Sequence, residues 1–260
     1  MSKPSRRCPR TEVEHVRKLL TYAKRQLDET RYYPPITAYR FLVALALYSK
    51  CLTVSEATLV LIDAGFGDEA FGMTRTLIDI FITMQYLANK DTEERAKLYY
   101  QFHRKDIDDW AEEIRSYWPQ LLQGVNPRPS KVHTNYPRPH SWSGKPLGHM
   151  ILEPDTVEVD AATGQPFVHN LTYRMFYRWT SHYVHPTILA LDNHMVKPGR
   201  DNFVVRSRRG KDMGHLAAFT VAAHIASTMI CFYRCMGDPQ PDHLSKWMKA
   251  LIEHLARRHQ

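Results

Sequence analysis

Glycine is scarce in this chain, with 11 in 260 residues, and no regular succession of alternating β-branched segments accompanies it. A sandwich or barrel needs frequent tight turns between alternating strands, so the sequence argues against both. Cysteine is equally sparse: Cys8, Cys51, Cys231 and Cys235 form neither a disulfide framework nor a CxxC pair. That pattern fits a reducing compartment and disfavours a zinc site built on thiolates. The first twenty residues are basic and polar and lack the apolar run of a secretory signal, so a cytoplasmic location is expected. One window, residues 215–233, has the length and apolarity of a bilayer span but contains His215 and His224. It reads as a buried helix, and no membrane partner is expected.

What is present is helical periodicity. Hydrophobic residues make up 43% of the chain, enough for a sizeable core, and the fold class expected is all-α in one domain over 1–260. Helices fill 12–117, a Pro-rich aromatic loop fills 118–168, and helices return over 169–260. In detail, a first helix covers 12–29, and a second covers 37–64 with Ser55 and Glu56 as a candidate break. Gly65 and Gly67 then make a turn into a third helix over 69–89. The third is apolar nearly all round and should be central. Arg75 and Asp79 are its only internal charges, spaced i,i+4 and able to pair. Asp91-Thr92 starts a helix over 92–117, whose run of Asp106, Asp108, Asp109, Glu112 and Glu113 reads as a solvated acidic face. Six prolines between 118 and 146 exclude a continuous helix there, and the neighbouring aromatics suggest a loop folded onto the core. Two closing helices cover 214–236 and 243–258.

The stretch over 170–195 carries the densest chemistry. At about 100° per residue, Arg174, Ser181, His182 and His185 fall within roughly 60° of Arg178 on one helical face. Met175, Phe176, Trp179 and Tyr183 occupy the adjoining side, and Pro186 should kink or end the helix and let it restart over 187–195. Several uses of this face stay open. His182, His185 and Asp79 could ligate a metal together with Asp192 or His194. Ser181 and His185 could form a nucleophile pair, although helical neighbours aim poorly for acyl transfer. The same residues could equally form a structural polar network. Downstream, Arg206, Arg208, Arg209 and Lys211 give the best footprint for a phosphate backbone, and the net charge of +8 permits an acidic partner.

The segment AGFGDEAFGMTRTLIDIFITMQYLANKDTEERAKLYYQF, then HSWSG, then YRMFYRWTSHYVHP, resembles the bacterial domain-of-unknown-function family 5677 in order and spacing over roughly residues 64–190. Asp79 stands where that family's motif has glutamate, while the run Thr180 to Pro186 keeps the final signature. The resemblance implies a HEPN-like helical bundle with a long Pro-rich insertion loop, and links to toxins and phage defence. HEPN ribonucleases carry an arginine, then four to six intervening residues, then a histidine, and six residues separate Arg178 from His185. By resemblance the chain is therefore expected to be a metal-free endoribonuclease acting through Arg178, His182, His185 and Ser181, supported by Arg75, Asp79 and Arg174. RNA is the expected substrate and no cofactor is expected. A homodimer and a protein partner such as an antitoxin are implied in the same way. Trp179 departs from the polar residue that the HEPN pattern favours after its arginine.

Overall fold

The computed structural model describes residues 10–29, 38–117, 119–122, 142–151, 176–185, 195–196, 204–205 and 213–237. They form seven α-helices: α1 (Arg10–Glu29), α2 (Tyr39–Asp63), α3 (Gly67–Asn89), α4 (Thr92–Tyr117), α5 (Leu147–Met150), α6 (Arg178–Val184) and α7 (Gly214–Met236). A 3₁₀ turn, Pro119–Leu122, follows α4. Met195–Val196 and Val204–Val205 add a minimal antiparallel ladder, with Met195 opposite Val205. The fold is all-α apart from that ladder. Met195 therefore lies in extended structure, not at the end of a restarted helix. Residues 187–194 and the helix expected over 243–258 lie outside the described residues, as do Arg174, Arg206, Arg208, Arg209 and Lys211.

Helix α3 is the centre of the bundle. It packs against α7 and α2 along its length, receives α6 near its start, and touches α4 and α5. Its sequence explains the position: Phe71, Leu77, Ile78, Ile82 and Met84 are all fully buried, and they lie on more than one side of the helix. Asp68 and Glu69 in its first turn complement the positive end of the helix dipole. Around it, α2 and α7 pack against each other, and α1 covers both. Tyr48 of α2 stacks on Phe232 of α7 with ring centroids 4.7 Å apart, and its hydroxyl donates to the Ala23 carbonyl of α1 at 3.3 Å. Both α2 and α7 have the length and apolarity to cross a membrane by composition alone, so α2 joins the one window that hydropathy suggested.

Local chemistry sets the helix ends. Gly65, with φ of +82°, makes the turn between α2 and α3, while Gly67 is already the first residue of α3. Glu93, in the first turn of α4, accepts the backbone N–H groups of Tyr39 at 2.8 Å and Arg40 at 3.1 Å, and so caps α2 from another helix. Gly237 closes α7 in the left-handed conformation, its N–H donating to the Arg234 carbonyl at 3.1 Å. The break foreseen at Ser55 and Glu56 does not occur. Ser55 is fully buried on α2, so tertiary packing overrides the weak helix preference of serine.

The described part of the Pro-rich region folds onto the core, as its aromatics suggested. Trp142 is buried, with its ring edge-on to Tyr86 of α3 at 5.5 Å and to Tyr99 of α4 at 5.0 Å. Arg95 of α4 stacks its guanidinium 3.8 Å from the centroid of Tyr86 and donates to the Tyr86 carbonyl at 2.5 Å. A buried cation held in this way anchors α4 against α3 without leaving a bare charge in the core.

Candidate functional site

Helix α6 is only seven residues long, and the way it is fastened decides which of its side chains reach solvent. Thr180 is fully buried and marks its inner face. Beside it, Trp179 and Tyr183 each set a ring edge-on to Phe71 of α3, with centroids 5.4 Å apart in both pairs. Gly72 lets the helices approach closely: a Cβ at that position would lie 3.5 Å from the backbone of Tyr183. Trp179, the departure from the HEPN pattern, is thus an anchor in this chain. The helix begins in a wider π-type turn at Phe176–Tyr177, a local geometry that recurs at functional sites.

A polar network joins the flank of α6 to α3. Arg75 donates from Nη1 to the Ser181 hydroxyl at 2.6 Å and from Nη2 to the Tyr177 hydroxyl, and its Cζ lies 4.2 Å from the centroid of the Tyr177 ring. Ser181 donates in turn to the Tyr177 carbonyl at 2.6 Å, and Thr180 donates to the same carbonyl at 3.1 Å. Asp79 faces Arg75 with Nε to Oδ2 at 3.9 Å, the i,i+4 pair that the spacing announced. Partial burial pushes the Asp79 carboxyl up to about 6, against the opposing pull of the Arg75 charge. The expected non-local contact between the central helix and the 170–185 segment is made by Arg75 with Ser181, while Asp79 joins it only through its i,i+4 pairing with Arg75.

The remaining members of the expected face point outward. Arg178, His182 and His185 are all exposed and follow one another at i, i+4 and i+7, a single row opposite Thr180. His185 stands where the helix ends. Its φ of −97° and ψ of 147° are extended, and its N–H still donates to the Ser181 carbonyl at 3.1 Å. That backbone is what a residue before proline prefers. The single polar stripe inferred from the sequence therefore has two parts: an inner edge of Tyr177 and Ser181 fixed by Arg75, and an outer row of one guanidinium and two imidazoles. Among the described residues, no three His, Cys, Asp or Glu side chains converge in a way that could hold a metal.

Tyr177 was the residue missed. It lies i−4 from Ser181 and about 100° from Arg178, just beyond the arc that defined the polar face, so it was not counted among that face's members. Ser181 was weighed as a nucleophile. Its hydroxyl donates to the Tyr177 carbonyl and accepts from Arg75.

Residues 41–203, more than half of the chain, match a family of unknown function, domain-of-unknown-function family 5677. The chain belongs to that family. The matched span runs from α2 through α6 and includes both Arg75 and the Arg178–His185 row, while α7 lies beyond it. No curated protein and no solved structure matches the chain.

Proposed function

We propose that this member of family 5677 is a metal-free endoribonuclease of the HEPN type, working from the outer row of α6. One observation carries the reading: Arg178, His182 and His185 stand together in solvent on a helix whose other side is fixed to α3 by Arg75 and Phe71. Proton-transfer groups on a rigid, accessible support meet the first requirement of acid–base catalysis. In this scheme one imidazole takes the proton of a ribose 2′-hydroxyl as that oxygen attacks the adjacent phosphorus. The bond from phosphorus to the 5′-oxygen breaks, the second imidazole protonates the leaving oxygen, and a 2′,3′-cyclic phosphate results. Arg178 stabilises the charge that builds on the non-bridging oxygens. The basic run Arg206, Arg208, Arg209 and Lys211, close behind in sequence, supplies further phosphate contacts. A second copy of the chain completes the cleft, and a protein partner restrains the activity, as in a toxin or phage-defence effector.

The closed network of Arg75, Asp79, Tyr177 and Ser181 supports a second reading, a non-catalytic helical interaction module in which these residues only hold α6 in place. RNA cleavage by the wild type and by His185→Ala separates the two. A ribonuclease should lose on the order of 10²–10⁴ in rate with the imidazole. Its melting temperature should not change, because His185 is exposed, and chelator should not slow it. Absence of cleavage by the purified wild type, alone and with candidate partners removed, would leave the interaction module standing.

A further inference from the structure

The second half of α4 is built differently from the first. Its first half is held by buried Arg95 and Ala96 and by Tyr99 against Trp142. Beyond residue 103 only Ala111 is buried, and large apolar side chains face outward: Ile107 is 51% exposed, Trp110 58% and Tyr117 70%. With the half-buried Ile114, these residues recur at i, i+3, i+7 and i+10, a continuous stripe along one face, flanked by Asp106, Asp109 and Glu113. A stripe of this size is costly to leave in water and marks a surface that something covers.

We infer that the stripe is the docking surface for the chain's own C-terminal segment, residues 243–258. That segment has the matching pattern by sequence: Leu244, Trp247, Met248, Leu251, Ile252 and Leu255 recur at helical spacing. Its charges, Lys246, Lys249, Arg257 and Arg258 against the single acid Glu253, complement a half of α4 in which Asp106, Asp108, Asp109, Glu112 and Glu113 outnumber Arg104, Lys105 and Arg115, although Asp109 and Glu112 already pair with Lys105 and Arg115. The connection is short. Helix α7 ends at Met236, one residue after Cys235, whose thiol lies within the field of Arg40. Arg40 and its neighbour Tyr39 are hydrogen-bonded to Glu93 of α4, and the Tyr39 ring lies 5.4 Å from that of Tyr100, which begins the exposed side of α4. The five residues 238–242 can span up to about 17 Å. A helix over 243–258 would run about 24 Å, close to the roughly 26 Å between Tyr100 and Tyr117. Tethering in the same chain gives this segment an advantage over any free partner of similar composition.

Amide hydrogen exchange on the full chain tests the assignment, using wild type, Leu251→Asp with Leu255→Asp, and the reciprocal Ile107→Asp with Trp110→Asp. Docking predicts that wild-type amides of 104–117 and of 243–258 are both protected. Each pair of substitutions should speed exchange in the partner segment by on the order of tenfold or more, while α3 and α7 keep their protection. The wild-type pattern should be the same at every protein concentration. Protection of 104–117 that grows with concentration and survives Leu251→Asp with Leu255→Asp would assign the stripe to a second copy and overturn the inference. Unprotected wild-type 104–117 would overturn it as well.

Discussion

Helix α3 presents two kinds of surface to its neighbours. Toward α2 and α7 it offers Leu77, Ile78, Ile82 and Met84, dry and without a charge. Toward α6 it offers Gly72 and Arg75, which meet the backbone of Tyr183 and the hydroxyls of Ser181 and Tyr177, with Asp79 paired to Arg75 along α3 itself. The first surface is non-directional and gains stability in proportion to area, whereas the second fixes one orientation of a short helix through hydrogen bonds of defined geometry. One helix thus supplies both the mass of the core and the alignment of the exposed Arg178–His185 row.

That contrast is open to direct attack. The largest effect belongs to the dry side. Ile78→Ala removes a fully buried side chain and should cost about 2–5 kcal/mol, read as a lower urea midpoint. The rate of the proposed RNA cleavage per folded molecule should hardly change, and a large fall would show that the two surfaces are not separable. On the polar side, Arg75→Met keeps the aliphatic stem but leaves the Ser181 and Tyr177 hydroxyls without their donor. The cost should be smaller, about 1–3 kcal/mol. Exchange at the amides of 178–184 should quicken, and the proposed cleavage should fall because the Arg178–His185 row loses its support. Unchanged exchange in α6 after this substitution would deny Arg75 its positioning role.

The smallest effects are in pH dependence, and they run in opposite directions. The Asp79 carboxyl, raised from 3.8 to about 6, binds its proton more tightly in the folded chain than in the unfolded one. Its contribution to stability is fully present below about pH 4 and is lost as pH rises to about 6. His224, buried in α7 with its ring edge-on to Phe81, is lowered from 6.5 to about 4 by desolvation, opposed by its hydrogen bond to the Thr220 carbonyl. Its contribution is present above about pH 6.5 and is lost as pH falls to about 4. Urea midpoints at pH 4, 5, 6 and 7 should therefore diverge. Asp79→Asn should gain on wild type as pH rises, and His224→Gln should gain on wild type as pH falls. The Asp79 effect should be the weaker, because its side chain is 42% exposed.

Much of this arrangement could be read from the chain beforehand, and the reason lies in period. Helix α4 begins and ends where Asp91-Thr92 and Tyr117 suggested, and α7 fills 214–236, because long amphipathic or apolar runs with clear stops leave little choice. Periodicity also set the phase of α6 and so grouped Arg178, Ser181, His182 and His185. It could not say where on that arc the neighbouring helix would sit. Arg178 and Ser181 are only about 60° apart, yet one is in solvent and the other is bonded to Arg75. Ser55 was read as a possible break for the same reason, since its burial is set by tertiary packing that its own neighbours in sequence do not announce.

The Arg75–Ser181 bond joins residues 106 apart in sequence, whereas α2 and α3 are joined by the turn at Gly65. Closing a long loop is entropically dearer than closing a short one, so the order of assembly follows from connectivity. The α2–α3 hairpin should therefore form in the folding nucleus, with α6 settling later on a scaffold that is already standing. Chevron kinetics of the same two variants would show this order. Ile78→Ala should slow folding, whereas Arg75→Met should leave the folding limb in place and speed unfolding. The working surface would then be the last part of the molecule to arrive and the first to leave.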